Sequence, residues 1–156
     1  MLRGNIMADS LTLDEWSVGY YGAMAAAAKI RQSVHRQASV FTIARYCRRA
    51  TSGLRNLTSL MNQLTKAPEE QLRELLISSK ELHRSCTDVL TLAASKGLMN
   101  RMLTAVALQS LSKSNDKYLD VIERYELSLD RTISEEARQA LEEYSRGEAT
   151  SLKSLV

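Results

Sequence analysis

From Trp16 onward, apolar and small side chains recur at intervals of four and three, at positions 16, 20, 23, 27, 30, 34 and 41, and then at 40, 43, 47, 50, 54, 57, 61 and 64. That spacing draws one stripe along one side of an α-helix and does not match the period of two that a strand needs. The two series are out of phase by one residue, and the slip falls between Val34 and Val40. An unbroken helix from Leu13 to Thr65 would be about 80 Å long, far beyond the usual helix of a domain. The slip therefore predicts a break near residue 38. A single rod through that point is the alternative, because local overwinding can absorb a slip and no Gly or Pro stands near Ser39.

Other boundaries have their own signals. Thr12 followed by Glu15 makes a capping box, with Leu11 and Trp16 placed as a hydrophobic staple, so Thr12 is the expected N-cap of the first helix. The chain's one proline, Pro68, precedes Glu69 and Glu70, the arrangement of a helix start with acids in its first turn. The face of that helix runs through Leu72, Leu75, Leu82, Cys86, Val89 and Ala93, and Lys96-Gly97 supplies a stop. A further series, Leu103, Ala107, Leu111, Tyr118, Val121, Ile122, Tyr125 and Leu129, predicts a helix over 98–131, with a kink or fraying where Ser110 to Asn115 turns polar. Ser134, Glu135 and Glu136 then open a short helix that uses Ala137, Leu141 and Tyr144 and ends at Gly147.

With six glycines and one proline in 156 residues the chain cannot furnish the turns of a β-sandwich, and its length suits one domain. The expected fold is all-α: an up-and-down bundle of three long helices, or four if the first breaks near residue 38, plus a short C-terminal helix. Residues 1–156 are read as one domain, with 1–11 and 148–156 as loose termini. The longest uncharged interval near the start, Trp16 to Ala28, is 13 residues, too short to span a bilayer. Two cysteines make no disulfide framework, and the start of the chain has no leader pattern, so a cytoplasmic location is expected.

Charge is distributed unevenly. Between Trp16 and Pro68 there is no Asp or Glu, and eight cations stand there: Lys29, Arg31, Arg36, Arg45, Arg48, Arg49, Arg55 and Lys66. Residues 69–156 carry 15 acids and 12 bases, so an overall charge of +3 conceals a basic first half. Placed beside the apolar stripes, these cations fall on outer positions and predict a basic face that suits phosphate-rich or acidic partners. Pairing of that face with the acidic second half of the same chain is the competing expectation.

Small residues at i and i+4 between Gly19 and Ala28 permit close approach of another helix. Trp16, Gly19, Tyr20, Ala23 and Ala27 are accordingly read as a self-association seam, with a thin position inside the bundle as the alternative. Cys47, His83 and Cys86 are the one grouping with metal-ligand chemistry, but inert core thiols account for them better, so no metal or other cofactor is expected. His35, next to Arg36, reads as a solvated side chain. The chain has no glycine-rich phosphate loop, no Ser-His-Asp set, no His-Glu-x-x-His run and no paired inward carboxylates.

The functional expectation is a non-enzymatic helical interaction protein that self-associates and offers the basic face of residues 29–66 to an acidic partner. Nucleic-acid binding through phosphate contacts of the same arginines is one alternative. A small antitoxin, immunity protein or chaperone that masks another protein is a second.

Overall fold

A computed structural model describes residues 2–64 and 68–146, with side chains for 13–64, 68–131 and 134–146. Four α-helices account for it: α1 (Leu2–His35), α2 (Val40–Gln63), α3 (Glu69–Ser95) and α4 (Met102–Ser145), with a 3₁₀ turn at Leu98–Asn100 before α4. Among the described residues there is no strand, and the fold is an all-α helical bundle. Contacts group the chain into a unit Met1–Ile122 and a unit Glu123–Val156.

The break between α1 and α2 comes from local hydrogen bonding rather than from a helix breaker. Gln37 takes a left-handed conformation (φ 53°). Its N–H donates to the Val34 carbonyl (3.2 Å), and the Ala38 N–H reaches back to the Ser33 carbonyl (2.9 Å), the pair of bonds that closes a Schellman motif. Ser39 then caps α2, its Oγ accepting from the Thr42 N–H at 3.3 Å. At the other end of α3, Gly97 supplies the left-handed residue (φ 73°) that the Lys96-Gly97 pair predicts.

In the first unit the stripes become the core. Trp16, Tyr20, Ala23, Ala27, Ile30 and Val34 of α1 are buried, as are Ile43, Cys47, Ala50, Leu54, Leu57, Met61 and Leu64 in and just after α2. Removing a leucine such as Leu54 or Leu57 from water contributes about 2 kcal/mol. Small residues let α1 and α2 approach closely as an antiparallel pair. A Cβ added at Gly53 would lie 3.0 Å from the Ala23 Cβ, and one at Gly19 would lie 3.1 Å from a Leu57 methyl. α1 and α3 run side by side in the same direction, joined by Tyr20 OH donating to Glu81 Oε2 (3.4 Å) and by Arg31 with Asp88 (3.9 Å).

Polar side chains complete the centre. Ser79 occupies the position between Leu75 and Leu82 on the buried stripe of α3. Its Oγ accepts from the Tyr118 hydroxyl at 2.7 Å and donates to Met61 Sδ at 3.6 Å, so α2, α3 and α4 meet at one hydroxyl. Burial pushes the Tyr118 phenol upward, with the Ser79 bond opposing it. Asn115 is buried as well and donates to Thr87 Oγ1 (3.1 Å). The polar run Ser110–Asn115 therefore points partly inward, and α4 passes through it as one helix.

Several boundary expectations are corrected. Helix α1 begins at Leu2, so Thr12 lies within it rather than at its N-cap. Phe41, which the first series places on the apolar face, is 73% exposed, because the Schellman turn starts α2 in the second register. Among the described residues no separate C-terminal helix forms: α4 continues through Ser134, where neither Gly nor Pro interrupts residues 130–145. In the second unit Leu141 and Tyr144 are exposed, and Arg138 bridges Glu135 (2.7 Å) and Glu142 (3.4 Å), exposed pairs worth roughly 0.3 kcal/mol each. Gly147 and residues 148–156 lie outside the described residues.

Candidate binding surface

On α2 successive residues turn by about 100°, which places Phe41, Arg45, Arg48, Arg49 and Ser52 within one arc of about 100°. Every one of them is exposed. That arc is opposite the buried stripe because Ile43, Cys47, Ala50 and Leu54 take the inward positions. The guanidinium carbons of Arg45 and Arg49 stand 5.9 and 5.7 Å from the centre of the Tyr46 ring, so one aromatic side chain steadies two arginines. Among the described residues no carboxylate lies within ion-pair distance of Arg45, Arg48 or Arg49.

The remaining expected cations divide. Lys29, Arg31 and Arg36 of α1 and its exit are exposed. Lys29 and Arg36 lie within about 20° of each other around the helix, whereas Arg31 is about 160° away from Lys29. Arg31 turns toward α3 and meets Asp88. The strip of cations is therefore not continuous: Arg31 leaves it for an internal partner. Arg55 lies at the edge of the α2 arc, about 20° from Arg48, and lines a groove against α4. Lys66 lies outside the described residues. Pairing with the second half of the chain accounts for Arg31 and for none of the α2 arginines.

The small-residue seam is used within the chain. Trp16, Tyr20, Ala23 and Ala27 are buried, and Gly19 and Ala23 face Leu57 and Gly53 of α2. The surface expected to receive a second copy is thus covered by a helix of the same copy. Trp16 stacks on Tyr20 with ring centres 5.2 Å apart, and its indole Nε1 is buried with no hydrogen-bond partner among the described residues.

Cys47 and Cys86 are both fully buried, and burial pushes each thiol up to about 12, Cys47 adding to the shift at Cys86. Thiols held protonated in an apolar core are poor ligands and poor nucleophiles. Among the described residues no three His, Cys, Asp or Glu side chains are grouped to hold a metal ion, so Cys47, His83 and Cys86 do not converge on one. A second groove, between α1 and α3, is lined in part by His35, Ser85 and Asp88. Among the described residues no hydrogen bond joins those three side chains.

Two features escaped the sequence analysis. The first period, continued across the break, points Phe41 inward, whereas the restart of α2 turns it to solvent. Lys113 and Lys117 were hidden in the net negative total of the second half, although their i,i+4 spacing is visible in the sequence. No described helix is long and apolar enough to cross a membrane. Comparison of the chain with protein-family models, curated proteins and solved structures returned no match.

Proposed function

We propose that this chain is a non-enzymatic helical binding module that docks an acidic protein on the outer face of α2. The reading rests on one observation: Arg45, Arg48 and Arg49 share a solvent-facing arc with Phe41 and have no carboxylate partner among the described residues. Arginine and aromatic side chains together are the usual anchors of a protein interface, and an exposed apolar ring among cations offers both burial and charge pairing. Tyr46 reduces the freedom that Arg45 and Arg49 lose when a partner binds, which favours association.

Size favours a protein over a nucleic acid. Firm duplex binding commonly neutralises about six to ten phosphates, whereas the α2 arc carries three arginines, with Lys29 and Arg36 on the neighbouring helix. Masking of a partner, as by an antitoxin, immunity protein or chaperone, is one form of the same docking. Self-association would have to use a surface other than the α1 seam, which α2 covers.

The test is fluorescence anisotropy with a labelled Asp/Glu-rich peptide that includes leucines, alongside a labelled oligonucleotide of equal charge. Reversal of Arg45, Arg48 and Arg49 to Glu should abolish peptide binding, and Phe41→Ala should weaken it about tenfold, with unchanged thermal unfolding. Failure of the peptide to bind would sink the proposal. Oligonucleotide binding that falls with a log–log salt slope of several would transfer the arginines to the nucleic-acid reading.

A further inference from the structure

A groove of about 350 Å³ between α2 and α4 is lined by Arg55, Thr58, Ser110, Lys113, Ser114 and Lys117. Its lining side chains are cations and hydroxyls, without a carboxylate. Arg55, Lys113 and Lys117 are exposed, while Ser114 is 5% exposed. The Thr58 hydroxyl is committed to the Leu54 carbonyl (2.8 Å), which leaves the hydroxyls of Ser110 and Ser114 as donors. Asp116 and Asp120 stand on the same helix but line no part of the groove, and among the described residues neither pairs with Lys113, Lys117 or Arg55.

The groove lining itself carries three cations and no anion. Lys113 and Lys117 are a like-charge i,i+4 pair, a destabilising spacing on a helix, and Arg55 brings a third positive charge from the facing helix. A multivalent oxyanion relieves that repulsion, and its oxygens accept charge-assisted hydrogen bonds from guanidinium, ammonium and hydroxyl groups together. The volume is near the lower end of the range for small-molecule sites, roughly 300–1,000 Å³, and has room for more than a bare phosphate.

We propose that the α2–α4 groove binds the phosphoryl group of a small molecule, with Arg55, Lys113 and Lys117 neutralising it and Ser110 and Ser114 donating to its oxygens. The site shares no residue with the α2 arc of Phe41, Arg45, Arg48 and Arg49, so it stands or falls separately from the acidic-partner reading.

The experiment is isothermal titration of the full chain at low salt with inorganic phosphate and, in a second arm, glycerol 3-phosphate. One equivalent should bind in each arm. Tighter binding of the ester assigns a phosphorylated metabolite as the ligand, and equal affinity assigns free phosphate, both through the same oxyanion chemistry. Arg55→Gln, Lys113→Gln and Lys117→Gln should each weaken binding about tenfold, with Lys113→Arg retaining most of it. Gln at Arg45, about 15 Å from Arg55 along the α2 axis, should leave it within about twofold when the titration is repeated in 0.1 M salt, where charges are screened beyond about 10 Å. Absence of saturable binding up to about 50 mM would overturn the proposal. So would binding that is indifferent to the three groove substitutions in variants whose thermal unfolding shows them folded.

Discussion

Gly53→Ala makes a sensitive test of how closely α1 and α2 are packed, because two effects of known sign oppose each other there. Replacing Gly by Ala inside a helix stabilises by about 1 kcal/mol through backbone entropy. At this position the new Cβ would stand 3.0 Å from the Ala23 Cβ and 3.5 Å from its Cα. Neither atom can swing away by a rotamer change, since Ala has no side-chain torsion to use. The helices must separate instead, and overpacking of this kind costs about 1–3 kcal/mol. The net expectation is destabilisation of up to about 2 kcal/mol. Ala23→Gly removes the obstructing methyl at a cost of about 1 kcal/mol in propensity. In that background Gly53→Ala should instead stabilise by up to about 1 kcal/mol, so the effect changes sign and the double-mutant coupling is about 1–3 kcal/mol. Urea unfolding followed by circular dichroism at pH 7 measures all four corners of the cycle. Equal, additive stabilisation by Gly53→Ala in both backgrounds would refute the close approach, and with it the assignment of the small-residue seam to the inside of the fold.

Two further outcomes follow from single residues. Gln37→Gly should raise stability by about 1 kcal/mol, because Gln37 holds a left-handed conformation that costs a side chain roughly that much, and urea midpoints will show it. Alkaline pH should destabilise the protein: the thiols of Cys47 and Cys86 are raised from 9.0 to about 12 on folding. Unfolded chains therefore release protons in that window while folded chains keep them, and stability falls as pH rises by about 1.4 kcal/mol per unit for each thiol. Urea midpoints measured from pH 7 to 11 should stay level below about pH 8.5 and then drop, less steeply in Cys47→Ala and Cys86→Ala variants.

Helical class, the four stripes and most of their inward residues were legible in the sequence, because the burial of an apolar stripe is dictated by the 3.6-residue turn alone. The slip between Val34 and Val40 located the α1–α2 break, and Pro68 and Gly97 located the ends of α3 to within a residue or two. Local signals misled where another local interaction competed. The Thr12 capping box did not start α1, and Ser134 did not start a new helix, since a capping residue permits a helix to begin without forcing the preceding turn to unwind.

What only the tertiary structure decided was the occupant of each surface. Periodicity states that a stripe must be covered and is silent on which helix covers it, so the Gly19–Ala27 seam could be assigned to α2 only once Ala23 was found against Gly53. The same limit applies to charge. A sequence determines that Arg31, Arg55, Lys113 and Lys117 point outward from their own helices, but Coulomb energy depends on distances between helices. Those distances pair Arg31 with Asp88, gather Arg55, Lys113 and Lys117 around one groove, and leave Arg45, Arg48 and Arg49 facing solvent.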